Sequence, residues 1–284
     1  MADVAQWPAV LRNGRALLGL FVFLLLFLVA AAAPLLAPHD PLEQDLVNSF
    51  LPPFWRPDAD PQFLFGTDSL GRDIFSRLIY GARIAFIVAV VAASLVCVLG
   101  TMLGLLSGYY GGWIDTGISR LVDVWMSFPP VLLSIVLAAV IGAGLQAVII
   151  AIVVVDWTRF CRIVRAEVLV QREQDYVTAA LTMGLGRPHI MLREILPNIL
   201  PTLAVLYSLE MGIAIIVEAI LSFVGLSVAS DAPTWGGLIQ EGRLYINQAW
   251  WLLALPVGCI IVTVLGLNAL GDGLRESLDP VLRR

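Results

Sequence analysis

The sequence predicts an all-α, polytopic membrane protein with six transmembrane helices. Of its 284 residues, 59% are hydrophobic and only 14% are charged, against about 25% charged in an ordinary soluble domain; the mean hydropathy is +0.89. Uncharged runs of the roughly 20 residues needed to cross a bilayer recur along the chain. The 17 basic residues, all arginine, fall unevenly between those runs. Water is thereby excluded as the main solvent. The formal net charge of -5 decides little, because placement between spans matters more than the total.

The first span is expected over Ala16–Ala37, behind Arg12 and Arg15. Ala31, Ala32 and Ala33 look like a cleavage site, so a signal peptide is the competing view, but the apolar core exceeds the roughly 7 to 15 residues of one. A polar, proline-rich outer loop follows over residues 38–83. Pro52, Pro53, Pro57 and Pro61 stiffen its first part. Asp68–Arg83 sets Leu70, Ile74, Leu78 and Ile79 at helical spacing, so this amphipathic segment is expected to lie along the outer membrane surface. Ile84–Ser107 makes the second span. Val124–Val155 is uncharged for 32 residues, too long for one ordinary span. Split at Gly142, Ala143 and Gly144, it gives a third helix starting between Asp115 and Pro130 and a fourth reaching about Arg165. Ile195–Leu226 makes the fifth and Ala249–Gly271 the sixth. The expected organisation is a tail and first helix (1–37), the outer loop (38–83), a five-helix core (84–273) containing a polar loop (166–197), and a tail (274–284).

Six spans put both termini on one side. With the N-terminus cytoplasmic, twelve arginines lie inside (Arg12, Arg15, Arg120, Arg159, Arg162, Arg165, Arg172, Arg187, Arg193, Arg275, Arg283 and Arg284). Five lie outside (Arg56, Arg72, Arg77, Arg83 and Arg243). This excess predicts both termini in the cytoplasm.

Some chemistries are excluded. A P-loop needs a lysine ammonium on the nucleotide phosphates, and no lysine occurs in the chain. Cys97, Cys161 and Cys259 are far apart and lie in or beside apolar runs, which reads as buried free thiols. His39 and His189 form no metal-ligand pattern. No cofactor, metal or catalytic residue is expected.

Gly100, Gly104 and Gly108 recur every four residues and share one helix face, where another backbone can approach closely. Packing within the chain and contact with a second subunit are both open readings. Asp156 and Arg159, three apart, can pair on a helix. Glu210 and Glu218 sit in the fifth apolar run with no basic residue nearby in sequence. They either line a translocation pathway or its gate, or make buried structural hydrogen bonds.

Between the fourth and fifth spans, Asp175, Tyr176, Val177, Thr178, Ala179 and Ala180 precede Gly184 and Pro188. This reads as a short helix begun after an acidic residue and ended by glycine and proline. It suits docking to a cytoplasmic partner; an ordinary solvated connection is the alternative.

Here the sequence resembles the inner-membrane permeases of ABC importers, whose loop carries the pattern E-A-A, three residues, G, nine residues, I-x-L-P. The matching positions are Thr178-Ala179-Ala180, Gly184 and Glu194-Ile195-Leu196-Pro197, with threonine in place of the glutamate and glutamate in place of the isoleucine. Further runs are similar to the C-type subunit of dipeptide, oligopeptide and nickel permeases. These are Leu36 to Pro41, Phe65 to Arg77 followed by Gly81-Ala82-Arg83, and Ala232 to Gly237. The resemblance implies a type I ABC importer permease-like fold in a bacterial or archaeal cytoplasmic (inner) membrane. It also implies a related B-type permease, two partner ATPase subunits that bind ATP and Mg, and an extracytoplasmic substrate-binding protein, with no nucleic acid. Asp175, Tyr176, Thr178, Ala179, Ala180, Gly184, Leu196 and Pro197 would couple to an ATPase. Trp55, Asp231 and Trp235 would contact the binding protein.

Two rivals follow from the same residues. An ion-driven secondary transporter would use Glu210 and Glu218 as carriers, but no inverted pair of broken helices is visible. An intramembrane enzyme would need a G-x-S-x-G motif or paired aspartates within spans, and neither occurs.

Overall fold

The computed structural model describes residues 13–227 and 232–278. The expected contacts at Asp231 and the arginines at 12, 283 and 284 lie outside the described residues. Nine helices carry the architecture of this region: α1 (Gly14–Ala31), α2 (Ile74–Tyr110), α3 (Gly112–Met126), α4 (Pro130–Ile141), α5 (Leu145–Arg172), α6 (Asp175–Thr182), α7 (Leu196–Phe223), α8 (Trp235–Leu244) and α9 (Trp251–Leu278). A short turn (Arg187–His189) and a π-helical stretch (Ile190–Ile195) lead into α7.

Local chemistry sets most boundaries. Asn13 caps α1 by accepting from the backbone N–H of Arg15 and Ala16; Asp73 caps α2 through Ser76 N–H at 2.9 Å; Thr234 caps α8 through Gly237 N–H at 3.0 Å. Each satisfies a donor that a helix start leaves without a partner. The consecutive prolines 129 and 130 have no N–H to give, and between α3 and α4 the chain bends by 88°.

By length and composition, four helical segments among the described residues can cross a membrane: Gly14–Ala31, Ile74–Tyr110, Arg187–Phe223 and Trp251–Ser277. A fifth is added if the bent pair α3–α4 is one span. Helix α5 has 28 residues but carries Asp156, Arg159, Arg162 and Arg165. The count of crossings thus stands at four or five by this measure, and six is compatible with the long helices present.

The second helix differs from expectation at its start. Residues 74–83 do not lie flat on a surface. They are the first turns of α2, whose 37 residues extend about 55 Å at 1.5 Å per residue, well beyond a hydrocarbon core of about 30 Å. Ile74, Leu78 and Ile79 are buried, because the outer loop folds over them and α8 packs alongside. The helical spacing was a core face.

Helix α2 packs most extensively on α5, and α9 lies against both α1 and α7. Three large buried clusters result, with a fourth, smaller one of Val122, Trp157 and Cys161 between α3 and α5. One joins α1, α2, α7, α8 and α9 through Leu26, Leu78, Ile215, Trp235 and Leu267. A second joins α2, α5, α6 and α7 through Val96, Phe160, Val168, Val177 and Ile199. The third joins α2, α4, α5 and α7 through Val88, Ala138, Val148 and Ala214. The outer loop and α8 sit at one end of the bundle and α6 at the other.

Candidate functional site

The α2–α5 seam is built on the glycine ridge. A Cβ at Gly100 would lie 2.4 Å from Phe160 Cβ, at Gly104 2.7 Å from Val164 Cβ, and at Gly108 2.8 Å from Val168 Cβ. The backbones meet where a methyl group has no room, which maximises close van der Waals contact between two apolar helices.

At the α6 end, Val177 and Ala180 turn inward and are buried with Val164, Val168, Ile190 and Ile199. Asp175, Thr178 and Ala179 face outward, and Leu181 and Met183 are 52% and 72% exposed. Tyr176 is half-buried, with its hydroxyl donating to Gln171 Oε1 at 2.8 Å. Gly184 has φ +78° and open space around it; Gly184 N–H reaches Leu181 O at 3.0 Å and Leu185 N–H reaches Ala180 O at 3.1 Å. The glycine therefore ends α6 in the left-handed conformation that side-chain-bearing residues resist. Leu196 and Pro197 open α7 and are half-buried. Of the loop's motif, Ala180 serves the protein's own core, while Asp175, Thr178, Ala179 and Gly184 are presented to the outside.

Within the helices, Glu210 and Glu218 are both 1% exposed. Glu218 accepts from Ser222 Oγ at 2.7 Å and Ser227 Oγ at 3.1 Å, and Ser222 shares a 2.8 Å hydrogen bond with the Thr234 hydroxyl. This carboxylate ties the end of α7 to the start of α8. Glu210 stands otherwise. Its Oε2 lies 3.8 Å from Arg159 Nη1, which is also 3.4 Å from Asp156 through Nη2, and its Oε1 has no hydrogen-bond partner. The sequence offered Glu210 no basic neighbour; the α5–α7 contact supplies one.

At the opposite end, a buried ionic cluster fastens the outer loop to α8. Asp68 accepts from Arg72 Nε at 2.7 Å and from Arg77. Glu241 accepts from Arg72 at 3.1 Å, Arg77 at 2.9 Å and Ser69 Oγ at 2.7 Å. Two acids and two arginines balance. Burial pushes the Glu241 carboxyl upward, but Arg77 beside it, with Ser69 and Arg72, outweighs this and holds it below the usual carboxylate range. Nothing in sequence spacing marks Glu241 as a partner of Arg77; the motif containing Asp68, Arg72 and Arg77 was the available half of the signal.

Trp55 is 43% exposed and meets Phe54 edge-on at 5.0 Å. Trp235 is not available to a second chain in this arrangement. It is 3% exposed, its Nε1 donates to Leu78 O at 3.0 Å, and its ring fills the space beside Gly81. Expectation fails there because an interfacial tryptophan and a core tryptophan look alike in sequence. Among the described residues no cluster of three or more His, Cys, Asp or Glu could hold a metal ion.

Residues 100–284 match the family model described as "Binding-protein-dependent transport system inner membrane component", and residues 6–53 match the "N-terminal TM domain of oligopeptide transport permease C". The chain is 39% identical over 278 residues to the dipeptide transport system permease protein DppC of Haemophilus influenzae, covering 98% of this chain and 94% of that relative. It is 39% identical to the di/tripeptide permease DppC of Pseudomonas aeruginosa, over 98% and 91% of the two chains. Identity to the oligopeptide permease OppC of Bacillus subtilis is 37%, over 96% and 87%. In fold it is similar to a chain of the MetNI methionine ABC transporter in inward-facing conformations, with a TM-score of 0.59, 19% identity and coverage of 72% of this chain and 96% of that one. The chain belongs to the binding-protein-dependent transport system inner membrane component family, as an all-α membrane permease subunit of the ABC type with no ATPase site of its own.

Proposed function

We propose that this chain is the C-type permease half of a bacterial peptide importer in the cytoplasmic membrane, with both termini in the cytoplasm. In this reading it forms the translocation pathway with a related B-type permease, receives substrate from an extracytoplasmic binding protein, and is driven by two partner ATPases that bind ATP and Mg. Likeness to dipeptide and oligopeptide permeases over nearly the whole chain carries the substrate class. The outward face of α6, with exposed Leu181 and Met183 beside Thr178 and Ala179, supports docking of an ATPase there. The rigid seam between α2 and α5 lets a push on α6 move long helices as bodies rather than bend them. Glu210 and Glu218 are assigned to the pathway wall and to bracing its outer gate. The loop end, with Trp55 exposed on it, is assigned to the binding protein.

The test is uptake of a labelled dipeptide by cells carrying the complete system. ATP depletion should abolish it and an uncoupler should not. Uptake that survives ATP depletion but collapses with the ion gradient would replace this reading with a secondary transporter, for which the buried carboxyl groups of Glu210 and Glu218 would be the carriers.

A further inference from the structure

The outer loop holds a polar cavity of about 140 Å³, bordered by Asp40, Glu43, Asp45, Gln62, Asp73 and His39. Acids dominate its wall, and no arginine borders it among the described residues. Arg72 and Arg77 are engaged with Asp68 and Glu241, and Arg56 lies over the Trp251 ring at 5.5 Å. The chain has no lysine. His39 is the basic group at the cavity; it stacks on Phe63 at 4.8 Å, and its Nδ1 stands 3.6 Å from Asp73 Oδ2, too far for a hydrogen bond.

Asp73 is 2% exposed. Its Oδ2 accepts from Ser76 N–H at 2.9 Å and Ser76 Oγ at 2.6 Å, but its Oδ1 has no hydrogen-bond partner. A buried carboxylate oxygen in that state calls for a donor. Asp40 and Glu43 stand exposed at the edge. The wall between them is fixed in advance. Asp45 N–H donates to Leu70 O at 3.0 Å, the Asp45 carboxylate accepts from Val47 N–H at 3.1 Å and Asn48 Nδ2 at 2.8 Å, and a Cβ at Gly71 would collide with the Asp45 carbonyl. The same turn holds Leu46 and Val47 outward, 69% and 92% exposed. A rigid charged socket beside presented apolar side chains has the make-up of a protein docking surface.

We propose that this cavity is the socket for a lysine side chain of the extracytoplasmic binding protein, whose ammonium donates to Asp73 Oδ1 and to the Glu43 carboxylate while Leu46 and Val47 meet apolar surface beside it. An ammonium is a compact head with three rotatable donors, suited to acceptors that come from separate stretches of chain. A guanidinium asks for two oxygens in one plane, and Asp73 has one already taken by Ser76. The inference rests on the assignment of the loop end to the binding protein above, and adds the chemistry of the contact.

The test uses the complete complex in lipid nanodiscs with its purified binding protein. Carbodiimide joins carboxylates to amines, and because this chain has no lysine, a side-chain amide at Glu43 identifies a partner's lysine; mass spectrometry should find one from the binding protein there. Asp40→Asn with Glu43→Gln should weaken binding about tenfold or more, as loss of a close charge pair does, and flatten its salt dependence. Asp58→Asn, an exposed acid outside the cavity, should change binding less than about twofold. Replacing the cross-linked lysine by methionine should weaken binding to the unaltered complex by the same factor and add nothing to the double variant. Cross-links elsewhere in residues 38–73, with full affinity in the double variant, would overturn the socket and leave the loop-end assignment standing. A binding protein that binds the complex but cross-links to no residue of the outer loop would remove that assignment and the socket with it. Labelled dipeptide retained by the complex without binding protein, and lost in the double variant, would make this a substrate ammonium site and overturn the lysine. Should the double variant not assemble, Glu43→Gln alone is read by the same measurements; its failure too would overturn the socket and make the acids a folding requirement.

Discussion

The glycine ridge gives the most quantitative prediction. An alanine at Gly104 would place its Cβ 2.7 Å from Val164 Cβ and 2.8 Å from the Cys161 carbonyl oxygen, whereas carbon atoms rest about 3.5 to 4.0 Å apart. The Cys161 oxygen belongs to the backbone and cannot rotate away, so α2 and α5 must part by about 1 Å. Overpacking of this kind costs about 1 to 3 kcal/mol, partly offset by the roughly 1 kcal/mol by which alanine favours a helix over glycine. Gly117 on α3 provides the control, since a Cβ there meets nothing within 4 Å and Gly117→Ala should gain the helix term alone. The difference between the two variants therefore isolates the steric cost, about 1 to 3 kcal/mol. A second signature follows from geometry. One separation relieves Gly100 and Gly104 together, so Gly100→Ala with Gly104→Ala should cost less than the sum of the singles. Size-exclusion recovery after heating in detergent measures all four proteins. Equal stability changes at 104 and 117, or strict additivity of the double variant, would refute the account of the seam as a rigid backbone contact.

Gly184→Leu should fray the end of α6, because a non-glycine residue at φ +78° costs about 1 to 2 kcal/mol; dipeptide uptake should fall relative to ATP hydrolysis while membrane insertion is kept, and unchanged uptake would count against the docking role. Arg77→Met should leave buried Asp68 and Glu241 short of a positive partner at a cost of about 3 to 5 kcal/mol, read as faster protease cleavage within residues 38–73. Since Glu241 is held below its ordinary value of 4.5, its contribution to that latch is present above pH 4.5 and is lost as pH falls further, so cleavage should accelerate on acidification below that point and not between pH 6 and 8. Glu210→Gln should assemble and lower uptake; normal uptake in that variant would remove the pathway role.

Several of these features were legible in the residues alone. The apolar runs mark where helices lie, because a chain that leaves water must satisfy its backbone internally. The four-residue spacing of Gly100, Gly104 and Gly108 marks a face of close approach, since helical periodicity puts those positions in line. The end of α6 at Gly184 follows from glycine's freedom at positive φ. Other features were fixed by packing between distant segments. Hydropathy located Glu210 inside an apolar run but could not say that α5 would bring Arg159 to it. The pairings of Arg77 with Glu241 and Arg165 with Asp115 span 164 and 50 residues, and side-chain charge carries no record of which helix faces which. Trp235 was a surface candidate until α8 folded onto α2, and residues 74–83 were an amphipathic surface strip until the outer loop closed over them. Local sequence determines which segments become helices and where they stop, because those forces act within a turn or two; which buried charge meets which, and which apolar face is core, is decided only when the helices pack.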